Sequence, residues 1–466
     1  MARIYPFRAL RYDTQKVRME DVVTQPYDKI TPAMQQGYYD RSKYNLIRVI
    51  LGKREPDDTD AFTPVEAGAV QHNVYTRAAE SLVSWRKKAI LREEDEPALY
   101  GYSQTYTVPG AHEVRERRGF IALGQLYDYA EQVVYRHEQT FPKHKSDRLA
   151  LFKATRAYCE QIYMLYSDPA FTAEQLIFGA DKPADLEIKD EYDVVHRLWK
   201  LSDPTLINLI VGAMADKKLI IADGHHRYET SVTYMEERAA ELGLRSKTSR
   251  TGDDEESPSN LADEPHSRLP KPAFPEAAMM MTFVNMDAPG ITILPTHRVV
   301  FGLPAFSTDA FLSAAEPYFD IMPLATSETS ILANQQGVAF IAATKDGNHL
   351  LSAKAEAVTA LLKQLHPEIS ARQSQLDVVQ LHNVVLEHVL QLTHASIAEL
   401  ENLRYIRSAE EAVEQVHAGQ ADVAFLIKPV TLNQLRDISL SGDVMPQKST
   451  DFYPKLLSGL AIYALE

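Results

Sequence analysis

Between Lys217 and Tyr234 the chain reads KKLIIADGHHRYETSVTY, and two hydrophobic periods meet inside that stretch. Leu219 to Ala222 is a short apolar run closed by Asp223-Gly224, as a buried strand feeding a turn would be. Beyond it Tyr228, Val232, Met235, Ala239 and Leu242 recur at steps of four, three, four and three, the spacing of a helix with one buried face. The expectation is a strand that turns directly into a helix, with Asp223 as N-cap and Gly224 to Arg227 in the first turn.

Such a turn has chemical consequences. A helix start carries N–H groups without intrahelical acceptors at the positive end of the macrodipole, and it attracts phosphate or carboxylate. Gly224 lets a ligand approach the backbone, and Arg227 offers a two-pronged donor for phosphate oxygens. His225 and His226 can donate hydrogen bonds or carry a proton. On a helical wheel His225 lies nearer the buried face, with Glu229 one turn on, while His226 points away beside Thr230. Consecutive side chains on a helix diverge, so the pair is not expected to share a metal ion. A well-capped helix with surface histidines is the plainer reading of the same residues.

Composition narrows the classes. The chain has 466 residues, too many for one compact core, so two or three domains are expected. A formal net charge of −15 argues against nucleic acid as a partner. A single cysteine, Cys159, excludes an internal disulfide framework and a cysteine-built zinc site. No run of about 18 uncharged apolar residues occurs, and the start MARIYPFRALRYD lacks an apolar signal core, so a cytoplasmic location is expected, with no membrane partner. Phosphate-loop, G-x-G-x-x-G and G-x-S-x-G motifs are absent.

Along the chain, YNLIRVILG (44–52) reads as a buried strand, and ALYGYSQTYTVPGAHEVRERRGFIALGQL as two long antiparallel strands joined through Pro109-Gly110. SDRLALFKATRAYCEQI reads as a helix that includes Cys159. Residues 246–272, dense in Ser, Pro, Asp and Glu, read as a mobile acidic insertion. GVAFIAATKDGNHLLSAK reads as a hairpin at Asp346-Gly347, LDVVQLHNVVLEHVL as a helix, and YIRSAEEAVEQVHAGQADVAFLIKPV as strand, helix, strand. The expected division is residues 1–301, carrying the histidine turn, and an α/β domain of residues 302–466 whose last segment folds back over the site.

Other segments supply candidate parts. YRHEQTFPKHKSDR gathers His137, Glu138, Lys143 and Arg148; phosphoryl transfer to a small alcohol needs a carboxylate near the hydroxyl and cations near the phosphoryl group, so Glu138 is the candidate base and Lys143 and Arg148 candidate clamps. Thr296, His297 and Arg298 in LPTHRVV, and Lys448, Ser449, Thr450 and Lys455 in MPQKSTDFYPKLLSG, are further candidates for substrate contact, as is Asp28 in TQPYDKI. Each also has a bland reading as a structural histidine, a solvated loop or a turn.

IADGHHRYET, VVTQPYDKI, HEQTFPKHKSDRLALFKAT, LPTHRVV and MPQKSTDFYPKLLSGL together resemble the signature blocks of a widespread prokaryotic family known only as a domain of unknown function, DUF ten-fifteen; the blocks span nearly the whole chain. The Asp-Gly-His-His-Arg element also resembles the phosphate box of the ParB/sulfiredoxin superfamily. That superfamily includes partition proteins that bind CTP, sulfiredoxins that use ATP, and free-serine kinases that phosphorylate a small hydroxyl with ADP. The resemblance implies an α/β fold with an α+β tendency and mixed sheets, and a nucleotide-phosphate cradle at Asp223, Gly224, His225, His226 and Arg227.

The functional expectation is therefore a phosphotransferase or phosphatase acting on a small phosphorylated metabolite, serine or phosphoserine being suggested by the kinase resemblance. ATP or ADP would be the nucleotide, Mg²⁺ would ride on it, and no zinc is expected. Glu138, His226 and His225 would be the catalytic groups. One alternative is a nucleotide-operated binding switch of the partition-protein type. Another is sulfiredoxin-like redox chemistry, which would need Cys159 to be reactive.

Overall fold

The computed structural model describes residues 2–62, 71–139, 143–244 and 269–466. The chain is mixed α/β and forms two compact units: residues 1–135, 141–291 and 454–466 make the first, and residues 136–140 and 292–453 the second. Residues 292–301, expected in the first domain, belong to the second, and residues 454–466 return to the first. The acidic insertion expected at 246–272 lies, as far as residue 268, outside the described residues.

Among the described residues, the first unit is built on a nine-stranded sheet: β1 (Ile4–Tyr5), β2 (Leu99–Thr107), β3 (Val114–Gln125), β4 (Val134–Tyr135), β5 (Ile162–Tyr166), β6 (Leu186–Lys189), β7 (Val195–Leu201), β8 (Leu219–Asp223) and β9 (Ala278–Asn285). The order is β4-β8-β5-β9-β3-β2-β7-β6, with β1 added to β3. The long hairpin β2–β3 is antiparallel from Tyr100↔Ile121 to Thr107↔Val114. Mixed pairing arises because β8 runs parallel to β4, and β9 parallel to β5.

Four helices of this unit matter for the site: α1 (Ile47–Ile50), α2 (Val74–Lys87), α3 (Lys143–Thr155) and α4 (His225–Glu241). Within the run at 44–52, expected as a strand, Ile47–Ile50 is thus a single helical turn. Asn45 decides it: its side chain accepts from Ile47 N at 2.9 Å and donates to Asp21 O at 2.8 Å, a capping arrangement that overrides strand propensity. Helix α3 ends at Thr155, because Arg156 takes φ +49° and Ala157–Tyr158 then pairs with Tyr463–Ala464. Cys159 therefore lies beyond the helix, buried.

Residues 454–466 act as a strap across the first unit. Thr24 and Ser458 exchange backbone hydrogen bonds of 3.1 and 2.9 Å, and Leu10 and Ile462 exchange bonds of 2.9 and 3.0 Å.

The second unit carries a six-stranded antiparallel sheet: β10 (His297–Val300), β11 (Phe319–Leu324), β12 (Ala339–Thr344), β13 (Gly347–Ala353), β14 (Leu403–Ile406) and β15 (Val423–Leu426), in the order β11-β13-β12-β15-β10-β14. The hairpin β12–β13 closes through Lys345-Asp346, with Thr344 opposite Gly347. Helix α5 (Ala355–Leu365) precedes a helical run from Asp377 that widens to a π-helix over Leu381–Val389, and helix α6 (Ala409–His417) crosses between β14 and β15. Alternate residues Ile341 and Ala343, with Val299, Ala424 and Leu426, face Ala412, Val413 and Val416 of α6 in one apolar cluster.

Candidate functional site

The strand-to-helix turn forms, with one difference in its geometry. Asp223 ends the strand and Gly224 is the N-cap of α4, at φ +95°. Glycine is required there: a Cβ would be disfavoured by that φ and would stand 3.1 Å from both Arg227 Nη2 and Ile162 Cδ1. Glycine at the cap contributes no capping side chain of its own.

Asp223 instead turns its carboxylate to cations. Lys455 Nζ donates to Oδ2 at 2.6 Å, and Arg227 Nη2 is 3.6 Å from Oδ1. Burial alone would raise the acid's pKa, but Lys455 and Arg227 outweigh it and hold the carboxyl far below the usual carboxylate range. Asp223 is thus ionised at neutral pH.

Arg227, expected from sequence to offer its fork to phosphate oxygens, turns inward. It is buried, donates from Nη1 to Gln161 O at 2.7 Å and lies 3.9 Å from Glu160. Glu160, also buried, accepts from Tyr27 N at 3.0 Å and stands 3.5 Å from Arg148. Arg148 lies over the Tyr27 ring at 4.1 Å and donates to Ile50 O at 2.8 Å. Burial pushes the Glu160 carboxyl up, against the pull of Arg227 and Arg148. Asp28 is exposed on the Tyr27–Lys29 turn, and its charge reaches Arg227 and Glu160.

His225 is buried and His226 half-buried, the inequality expected from the helical wheel. Glu229 forms an ion pair with Lys145 and accepts from Tyr129 Oη at 3.3 Å. Lys143 opens helix α3.

The remaining candidates gather in the second unit. Glu138 accepts Lys448 N at 3.3 Å, Thr450 N at 3.0 Å and the Thr450 hydroxyl at 3.1 Å. His137 Nε2 is 2.7 Å from the same hydroxyl. Arg298, wholly buried, donates to Lys448 O at 3.2 Å, to His382 Nε2 at 3.2 Å and to Thr296 O, with Tyr405 beneath it at 5.0 Å. Lys448 has φ +57°, and its backbone is gripped at N–H by Glu138 and at C=O by Arg298. The Ser449 hydroxyl donates to Pro446 O. His297 accepts Ile427 N at 3.2 Å, and burial with neighbouring Arg298 lowers its pKa to about 4.

The structure therefore divides the candidates into two clusters. Asp28, Arg148, Asp223, Gly224, Arg227 and Lys455 stand in the first unit; His137, Glu138, Thr296, His297, Arg298, Lys448, Ser449 and Thr450 stand in the second. Glu160, Gln161 and Tyr27, not among the sequence candidates, complete the first cluster. Tyr27 lies in the quoted TQPYDKI segment, but no local motif marks Glu160 and Gln161, whose partners lie far along the chain. Burial pushes the Cys159 thiol well up, which disfavours the thiolate that redox chemistry needs. Among the described residues, no group of three or more His, Cys, Asp or Glu side chains is arranged to hold a metal ion, and no helix is long and apolar enough to cross a membrane.

Sheet order, strand-to-helix turn and buried charge cluster define a two-unit mixed α/β protein with a polar centre at a helix start. The chain belongs to the family described as "Protein of unknown function (DUF1015)", whose model matches residues 4–379. No curated protein matches it. Among solved structures, it is similar to a conserved hypothetical protein from Pyrococcus furiosus, at 12% identity and TM-score 0.33, covering 70% of this chain and 89% of that one. It is similar to a free serine kinase in complex with AMP, at 12% identity and TM-score 0.32, covering 69% and 83%. It is also similar to SbnI with C-terminal truncation from Staphylococcus aureus, at 13% identity and TM-score 0.34, covering 72% and 85%. Likenesses of this strength leave the function to be argued from the site.

Proposed function

We propose that the first unit binds the phosphates of a nucleotide at the start of α4 and transfers a phosphoryl group to or from a small hydroxyl compound, serine or phosphoserine being the suggested class. The observation that carries this reading is the ionised Asp223 held between Lys455 and Arg227 beside a helix start whose cap residue is glycine at φ +95°. Around it Lys455, Arg227 and Arg148 face the carboxylates of Asp223, Glu160 and Asp147, with Asp28 close by, so the side-chain charges largely balance and the positive end of the helix dipole supplies the attraction for phosphate.

In this reading the first-turn N–H groups and Lys455 hold phosphate oxygens, and Asp223, too weak a base to take a proton, orients the hydroxyl by accepting its hydrogen bond. His226, half-buried one residue into the helix, is placed to take the hydroxyl proton. Asp223 takes the place near the hydroxyl that sequence suggested for Glu138, because Glu138 commits both oxygens to residues 448–450. A magnesium ion bound through nucleotide phosphates needs only one or two protein carboxylates, and Asp223 and Asp28 are those at hand.

Calorimetry and thermal shift with ADP, ATP and inorganic phosphate test the reading. ADP or ATP is expected to bind and raise the melting temperature, with binding weakened in Lys455→Met and His226→Ala. With Mg²⁺ and serine added, phosphorus NMR is expected to show a new phosphate monoester. Failure of every nucleotide to bind, or unchanged binding in both variants, overturns the proposal; binding without any ester would favour the nucleotide-operated switch.

A further inference from the structure

A buried polar chain behind the cluster is unused by the reading above. Asp190, at the β6–β7 turn, has a side chain 3% exposed. Its Oδ1 accepts Tyr192 N at 2.8 Å and Val194 N at 3.0 Å, which shapes the turn. Its Oδ2 faces Gln25 Nε2 at 3.1 Å and His196 Nε2 at 3.1 Å. Gln25 lies two residues before Tyr27, whose N–H meets Glu160.

The other side of His196 leads to the strap. His196 Nδ1 is 2.7 Å from Tyr102 Oη and 3.5 Å from Gln104 Nε2. Tyr102 Oη also receives Leu457 N at 3.5 Å, and Gln104 Nε2 donates to Lys455 O at 2.8 Å. Arg117 donates to Gln104 Oε1, from Nε at 3.1 Å, and to Pro454 O at 2.6 Å.

These contacts fix the hydrogen positions. Arg117 can only donate, so the carbonyl oxygen of Gln104 faces it and the amide nitrogen faces Lys455 O and His196. Nδ1 of His196 then meets the Gln104 amide, a donor, and the Tyr102 hydroxyl, which can turn its proton to Nδ1 while its oxygen accepts Leu457 N; this assigns the ring proton to Nε2, aimed at Asp190. The ring is held as the Nε2–H tautomer by a carboxylate on one side and donors on the other. Gln25, Tyr102, Gln104 and His196 are all 3% exposed or less, so water cannot replace a lost partner.

We infer that Asp190, acting through His196, is a positioning residue for the phosphate site: one carboxylate oxygen ties down both the Gln25–Lys29 turn and the strap residue Lys455. This rests on the functional reading above, and the test separates the two. Asp190→Asn keeps the oxygen that shapes the turn but sets an amide nitrogen against the donors of Gln25 and His196. The ring then shifts to the Nδ1–H tautomer, its N–H displaces the Tyr102 hydroxyl proton and opposes the Gln104 amide, and the holds of Tyr102 on Leu457 N and of Gln104 on Lys455 O loosen.

Three measurements on the full chain follow. Ring nitrogen NMR shifts of His196 should report Nε2–H in the wild type and Nδ1–H in Asp190→Asn. Amide exchange at Tyr27 and Leu457 should accelerate together, about tenfold, the factor expected for one lost buried hydrogen bond. Affinity for ADP should fall by a similar factor, and Asp190→Asn should add nothing further in a Lys455→Met background, whereas a merely structural role would add independently. Additive losses, or a tautomer change that leaves both amides and ADP affinity untouched, overturn the inference. If the wild type binds no ADP, the nucleotide reading falls, and the exchange result alone decides: joint acceleration of Tyr27 and Leu457 supports the positioning role, and unchanged exchange refutes it.

Discussion

Lys455→Met removes an ammonium while keeping a side chain of similar length and apolar stem. In the folded chain Lys455 and Asp223 have side chains 10% and 19% exposed. Breaking a buried pair costs about 3–5 kcal/mol, whereas an exposed pair is worth about 0–1 kcal/mol. This pair is near the buried end, but Asp223 keeps Arg227 at 3.6 Å, so a loss of about 2–3 kcal/mol follows. A chain of two compact units lacks a single unfolding free energy, which makes local amide exchange on β8 the appropriate assay; the loss corresponds to exchange about 30- to 150-fold faster at pH 7.

The pH dependence carries a sign of its own. The folded-state pKa of Asp223 is depressed, with burial opposing and Lys455 and Arg227 prevailing. Its contribution is complete above the unfolded value of about 3.9 and declines as pH falls below it, because there the unfolded chain alone takes up the proton, at about 1.4 kcal/mol per pH unit. In Lys455→Met the folded carboxyl titrates at higher pH, so the gap between wild type and variant should narrow from pH 4 to pH 3. An exchange ratio under about threefold at pH 7, or a gap that widens in acid, refutes this account of the pair.

Gly224→Ala places a Cβ at φ +95° and 3.1 Å from Arg227 Nη2 and Ile162 Cδ1, and should lower local stability by about 1–3 kcal/mol in amide exchange on α4 and β8; a neutral result would deny the left-handed cap. His297, depressed to about 4, binds its proton more readily when unfolded, so second-unit stability should drop by about 3 kcal/mol from pH 6.5 to 4. His297→Gln should flatten that drop, followed by exchange on β10 and β15. Glu138→Gln replaces one acceptor oxygen that residues 448–450 use, and should loosen that loop by about 1–2 kcal/mol in local protection; activity lost with loop protection intact would instead restore Glu138 as a base.

The parts of the fold that were legible are those in which periodicity and turn chemistry act within one segment. β8 into α4, the β2–β3 and β12–β13 hairpins and the β14–α6–β15 unit all have this character. Ile47–Ile50 went the other way because Asn45 bonds to Asp21 O and Val23 O, contacts that no local pattern announces. The turn at Asp223–Arg227 was visible, but its internal electrostatics were not: Arg227 faces inward to Gln161 and Glu160, and Asp223 finds a lysine 232 positions away. Asp190 and His196 carry no motif, and only the folded chain brings Gln25, Gln104 and the strap to them.

The strap also orders events during synthesis. Domains generally fold as units while the chain emerges, and here residues 292–453 leave the ribosome before residues 454–466, which contribute Lys455 and the pairings to Thr24, Leu10 and Tyr158. The first unit must therefore wait, with Ala157–Tyr158 unpaired and its charge cluster unfinished, while the whole second unit is translated. A nascent chain stalled anywhere in that interval would hold Asp223 without its lysine, making the half-made protein a natural client for chaperones that recognise unfilled edges.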